Sequence, residues 1–135
     1  VAQEVDQAAA DAAIKAVGAN ATVDEVCKAV EDGYVVTTTS KEGYGGNIQI
    51  TVGITADGTV SGISILSISE TAGLGMKATE PAFYGQYEGK QAEKFAVSKD
   101  GGEGEPIDAI SGATITSRAV TAAVNVALAY YQNGF

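Results

Sequence analysis

Near the C-terminal end of the chain, Ser111, Thr114 and Thr116 set three hydroxyls around Gly112, within the stretch Asp108-Ala109-Ile110-Ser111-Gly112-Ala113-Thr114-Ile115-Thr116-Ser117. A helical pattern follows at once: from Ser117 to about Tyr131, the residues Val120, Ala123, Val124, Ala127, Leu128 and Tyr131 fall on one apolar stripe. A helix start presents unsatisfied backbone N–H groups and a positive dipole end, which is a seat for phosphate. Gly112, without a Cβ, lets the backbone approach a ligand closely. These residues leave open which phosphate would bind. They also leave open plain N-capping, the more frequent role of Ser and Thr ahead of a helix, worth roughly 1 kcal/mol per cap.

The elements that must position this cluster are read from periodicity. Val1 to about Val17 is Ala-rich with a helical pattern. Thr22 to Val30 reads as a second short helix, with Thr22 as cap and Glu25 completing a capping box. Cys27, inside that helix, is expected to pack as a small hydrophobe under a sheet. From Gly33 the character changes. Tyr34 to Thr39 is β-branched and aromatic, Lys41 to Gly46 is a Gly-rich turn, and Ile48, Ile50, Val52 and Ile54 alternate with polar or small neighbours. Asp57-Gly58 signals a hairpin into a return strand, Thr59 to about Ile68, whose alternation slips near Gly62 as at a bulge. Pro81 to Gln86 reads as a helical turn, Lys94 to Ser98 as a strand, and Asp100 to Pro106 as an acidic surface loop. The expectation is an α+β fold, residues 1–135 as a single domain: N-terminal helices, an antiparallel β-meander and a closing helix.

Composition removes several function classes. The net charge is −9, from 17 acids against 8 bases, with no basic run, so nucleic-acid binding is discarded. There is no histidine, the commonest metal ligand and general base, and only one cysteine. Metal centres and Ser-His-Asp chemistry therefore lack their parts, and no catalytic residue is assigned. No apolar run reaches the length of a membrane span. The sequence opens at Val1 rather than methionine, as a processed protein or an excised piece would, and what precedes Val1 bears on localisation.

The stretch from Asp108 to Thr116 resembles the flavinylation motif of the FMN-binding domain family: Asp, two spacers, Ser/Thr-Gly-Ala-Ser/Thr, one spacer and Thr, ahead of a helix. Asp108, Ser111-Gly112-Ala113-Thr114 and Thr116 fill every defined position. The resemblance implies that Thr116 carries FMN covalently, its hydroxyl joined to the flavin phosphate by a dedicated flavin transferase. It also implies that Asp108 serves recognition by that transferase and helps hold its Mg²⁺. A second block, Glu70-Thr71-Ala72-Gly73-Leu74-Gly75, resembles the Glu-Thr-Pro-Gly-Leu-Gly segment of the membrane-bound electron-transport proteins RnfG and NqrC, where it lies against the isoalloxazine ring. Its two glycines allow close backbone approach, Leu74 offers an apolar surface and Thr71 a hydrogen bond. Ala72 departs from the usual Pro, and Ile68 stands where some relatives have His.

By this resemblance the cofactor-binding set is Glu70, Thr71, Gly73, Leu74, Gly75, Met76 and Lys77 from one loop, with Ser111, Gly112, Ala113, Thr114 and Ile115 beside Thr116. Lys77 and Arg118 are the cations expected near the flavin. The implied role is an electron relay: the RnfG component of an Rnf-type ion-translocating ferredoxin:NAD oxidoreductase, with other subunits of a membrane complex as partners. This chain is expected to be the soluble extracytoplasmic part, its membrane anchor lying outside the sequence. Two alternatives remain at this stage, an NqrC-type component and the FMN-carrying module of a secreted or lipid-anchored reductase. A non-redox module whose Ser/Thr cluster merely caps a helix is the remaining reading.

Overall fold

The computed structural model describes residues 2–28 and 33–132. A six-stranded sheet carries the strands in chain order: β1 (Ala2–Gln3), β2 (Ala21–Lys28), β3 (Tyr34–Ser40), β4 (Ile48–Ile54), β5 (Thr59–Ser67) and β6 (Lys90–Gln91). Every pairing in it is antiparallel. Two helices cover one face, α1 (Gln7–Val17) and α3 (Thr114–Gln132). The segment between β5 and α3 adds a 3-10 turn (Gly75–Thr79), the one-turn α2 (Pro81–Tyr84) and the parallel pair β7 (Phe95–Val97) and β8 (Glu105–Ile107). The fold is α+β with an antiparallel meander and a closing helix, as expected.

The meander follows from its sequence. In β4 the apolar residues Ile48, Ile50, Val52 and Ile54 are all buried, while the residues between them are half-buried. Across the ladder they face Ser40, Thr38 and Val36 of β3, which turn the same way into the core. Thr38 there has a partner for its hydroxyl, donating to the Ala123 carbonyl of α3 at 3.0 Å. Gly58 takes φ +85° in the tight turn after Asp57, and Thr55 N–H donates to the Thr59 carbonyl. The slip near Gly62 is a bulge: Gly53 pairs with Gly62 and Ile54 with Val60, leaving Ser61 extra. A Cβ on Gly53 would come within 2.5 Å of the Ser61 Oγ, so glycine is what the bulge admits.

The expected helix over 22–30 is corrected: residues 21–28 form β2, while positions 29–30 lie outside the described residues. Thr22 does not cap. Its hydroxyl donates to Asp24, which also accepts from Thr39 and Gln49 across the sheet. A bulge at Asp24 moves the buried face from Val23 to Val26, a spacing that imitates a helical turn. Cys27 is accordingly not packed under the sheet. It is half-exposed beside Val26, its Sγ donating to Glu25, and that hydrogen bond is the main reason its pKa is raised.

The N-terminal helix is shorter than the pattern over 1–17 suggests: Ala2–Gln3 pair with β2 as β1, and the helix runs over Gln7–Val17. Asp6 caps it by accepting the Ala9 N–H, and Gly18 ends it at φ +75°. Its Ala10 and Ala13 are fully buried, and it packs on α3, where Ala119, Ala123 and Ala127 are small enough to allow close approach. Asn125 of α3 ties down β7, accepting Phe95 N–H at 2.7 Å and donating to the Phe95 carbonyl at 2.8 Å. Among the described residues no helix is long and apolar enough to cross a membrane.

Candidate functional site

The closing helix begins at Thr114, three residues earlier than its apolar stripe suggests, so Thr114, Ile115 and Thr116 form its first turn. The turn before it is built from Ile110 to Ala113: the Ala113 N–H donates to the Ile110 carbonyl, and Gly112 takes φ +75°. That φ at the third position is what a type II turn demands and what only glycine adopts freely. Ser117 locks the turn from inside the helix. Its buried hydroxyl donates to the Ala113 carbonyl and accepts the Ile110 N–H, each at 2.9 Å.

Facing this turn is the loop from Glu70 to Met76. Its backbone closes on itself, with Leu74 and Met76 N–H both donating to the Thr71 carbonyl and Gly73 at φ +76°. Two glycines set how closely the two segments meet. A Cβ on Gly75 would lie 2.7 Å from Thr116 Oγ1, and one on Gly112 would lie 3.1 Å from Leu74 Cδ2. Glu70 joins the segments directly. Thr116 Oγ1 donates to Glu70 Oε1 at 2.7 Å, while the same carboxylate accepts the Tyr44 N–H at 2.8 Å and the Gly45 N–H at 2.5 Å.

Between the two segments opens a pocket of about 550 Å³, lined by Tyr44, Thr71, Leu74, Gly75, Gly112, Ala113, Thr114, Ile115 and Thr116. This size lies within the usual range of small-molecule sites. Leu74 and Ile115 are 42% and 48% exposed, apolar surface left uncovered at its walls, and Tyr44 is 71% exposed. Thr116 is only 2% exposed. Beside Thr114, the Lys99 ammonium donates to its hydroxyl at 3.3 Å.

The fold thus gathers Thr71, Leu74 and Gly75 with Gly112, Ala113, Thr114, Ile115 and Thr116 around one cavity, with Glu70 bonded to Thr116. Gly73, Met76 and Ser111 shape the flanking backbone and do not line it. Lys77 and Asp108 line a separate depression with Glu80, Phe83 and Gln86. There Gln86 pairs with the Asp108 backbone, accepting its N–H at 2.8 Å and donating to its carbonyl at 3.1 Å. Arg118 is engaged elsewhere, its guanidinium bonded to Asp100 at 2.6 Å, so it does not line the pocket. Tyr44, Gln86 and Lys99 were not singled out from sequence. Only the Gly-Tyr-Gly-Gly run at 43–46 carried a hint, since such glycines mark close backbone approach.

Comparison with known proteins decides the family. The FMN-binding domain family matches residues 43–129, which include every residue lining the pocket. The chain belongs to the FMN-binding domain family. It is 44% identical over 104 residues to the G component of the Na+-translocating ferredoxin:NAD+ oxidoreductase complex of Acetobacterium woodii, covering 75% of this chain and 50% of that protein. It is 47% identical over 95 residues to the G component of the proton-translocating ferredoxin:NAD+ oxidoreductase complex of Clostridium ljungdahlii, covering 70% of this chain and 51% of the relative. The chain spans about half the length of these curated relatives. The crystal structure of Shewanella oneidensis NqrC superposes with a TM-score of 0.61 at 26% identity, covering 80% of this chain and 59% of that one.

The FMN-binding domain has the features the flavin needs. The Thr114 and Thr116 side chains and the start of α3 line the pocket, chemistry suited to a phosphate, together with the apolar surfaces of Leu74 and Ile115. The missing Cβ atoms of Gly75 and Gly112 let the two segments that form the walls approach this closely.

Proposed function

We propose that the domain carries FMN on Thr116 through a phosphoester and relays electrons within an Rnf-type ion-translocating oxidoreductase. One observation carries the reading: the Glu70 loop and residues 112–116 meet at a single pocket, bridged by the Thr116–Glu70 hydrogen bond at 2.7 Å. Membership in the FMN-binding domain family supplies the cofactor. The two ferredoxin:NAD+ oxidoreductase relatives support the Rnf context over NqrC, whose structure is more distant in sequence.

The flavin, when bound, supplies one- and two-electron transfer. What this chain contributes is attachment and orientation. Thr116 in the first turn of α3 would hold the phosphate near backbone N–H groups and the positive end of a long helix. Leu74, Ile115 and Tyr44 would give the flavin apolar contact, and their exposure leaves a short path to a partner redox centre. Lys99, bonded to Thr114, would bring a cation to the phosphate end. Relay needs no proton donor from the protein, which suits a chain without histidine.

In this reading the domain works on the extracytoplasmic side of a membrane complex. A permanent tether there retains a flavin that no cytosolic pool would replace. Asp108, on the far side of the turn with Gln86 behind it, faces the flavin transferase during maturation.

Co-expression with a flavin transferase tests the reading. The denatured wild-type and Thr114→Ala proteins are expected to fluoresce on a gel and the Thr116→Ala protein to stay dark. A dark wild-type band, or a fluorescent Thr116→Ala band, overturns it.

A further inference from the structure

The hydroxyls at the head of α3 have unlike partners. Ser117 is fully committed, donating to the Ala113 carbonyl and accepting the Ile110 N–H in a buried setting. Thr114 Oγ1 accepts from the Lys99 ammonium, which draws density from the oxygen a nucleophile would use. Thr116 alone donates to a carboxylate, Glu70 Oε1, at 2.7 Å.

That carboxylate does not depend on Thr116 for its place. The N–H groups of Tyr44 and Gly45 hold it at 2.8 and 2.5 Å, and Gly75, lacking a Cβ, lets its backbone pass beside both partners. The chain has no histidine, so no imidazole of its own can take the proton.

We propose that Glu70 is the base that the acceptor protein itself supplies for its own flavinylation, and that this pairing selects Thr116 over Thr114. The proposal rests on the reading that Thr116 is the attachment point. The flavin donor is a pyrophosphate-type ester, FMN joined through its phosphate to a second phosphate ester and presented by the transferase. Thr116 Oγ forms the new bond to the flavin phosphorus as its proton passes to Glu70 Oε1. The bridging P–O bond breaks, and its electron pair leaves on the second phosphate ester. Glu70 then returns the proton to solvent, and nothing is oxidised or reduced.

The test uses the full chain, purified transferase and flavin adenine dinucleotide as the pyrophosphate donor. The initial rate of attachment is read by intact mass at several pH values, with folding checked by near-UV circular dichroism. Folded Glu70→Gln is expected to react about 100-fold more slowly, the lower end of what a general base contributes. Its residual rate should lose the dependence on pH that the wild type shows. Glu70→Asp, which keeps the charge but withdraws it by one methylene, should also be slowed, by about tenfold or more, because catalytic geometry is sensitive to such displacements. A wild-type rate in either folded variant overturns the proposal while leaving Thr116 as the attachment point. Should neither variant fold, Lys99→Met decides: flavin is expected to stay on Thr116, and flavin moving to Thr114 would show that Lys99 rather than Glu70 makes the choice and overturns the proposal. Flavin absent from the wild type, or found on another residue, instead removes the reading on which it rests.

Discussion

A Cβ on Gly75 would stand 2.7 Å from Thr116 Oγ1 and 2.6 Å from the Glu70 Cβ. No flexible side-chain tip can swing away to relieve the second contact. Gly75→Ala is therefore expected to push the Glu70 loop off the head of α3, destabilising the domain by about 1–3 kcal/mol, the usual range for overpacking a buried site. Flavin attachment should fall with it. Urea unfolding and gel fluorescence check both, and a variant that matches wild type in both would show that the two segments do not meet so closely.

Tyr87 and Thr121 give a second prediction. Thr121 Oγ1 donates its one proton to the Ser117 carbonyl at 2.8 Å, so the Tyr87 hydroxyl at 2.7 Å must donate to Thr121. Burial pushes the Tyr87 phenol well above its ordinary range, the Thr121 hydrogen bond opposing only in part. Tyr87→Phe should cost about 1 kcal/mol, whereas Thr121→Val strands a buried phenol and should cost about 1–3 kcal/mol. Equilibrium denaturation ranks the two; Tyr87→Phe proving the more harmful would contradict this assignment of donor and acceptor. In an alkaline ultraviolet titration Tyr87 should not ionise before the domain unfolds.

The Asp100–Arg118 pair predicts a pH dependence. The Arg118 hydrogen bond, more than its charge, lowers the Asp100 pKa in the folded state. A depressed folded pKa means that the pair stabilises above the ordinary aspartate range and that this stabilisation is lost as the pH falls through it. Both groups are exposed, so the effect is small and weakens with salt. The difference in melting temperature between wild type and Asp100→Asn should be positive at pH 7 and shrink as the pH falls from the ordinary aspartate range through the lower folded pKa of Asp100. A difference that stays constant with pH would sink this assignment.

How much of this was legible in the sequence varies by element. The β4–β5 hairpin was, down to its bulge, because Asp57-Gly58 fixes the turn and the alternation of β4 fixes its buried face. The strand over residues 21–28 was not, because the bulge at Asp24 spaces Val23 and Val26 like a helix, and Thr22 with Glu25 mimics a capping box. Long-range pairing with β3 outweighed that local signal. The head of α3 was read three residues late, since its apolar stripe starts beyond the turn that Ser117 closes. Both motif blocks were legible by resemblance, but Tyr44, Gln86 and Lys99 join them only through tertiary contacts that no local pattern encodes.

The most direct test of the central claim is the position of the flavin on the chain. Trypsin cutting after Lys99 and Arg118 releases one peptide, residues 100–118, that holds Ser111, Thr114, Thr116 and Ser117 together. Fragmentation of that peptide from flavinylated protein should place the added FMN mass on Thr116, with Thr114 and the serines unmodified. FMN mass on Thr114 or a serine, or an unmodified peptide from protein that still binds flavin, would contradict the account.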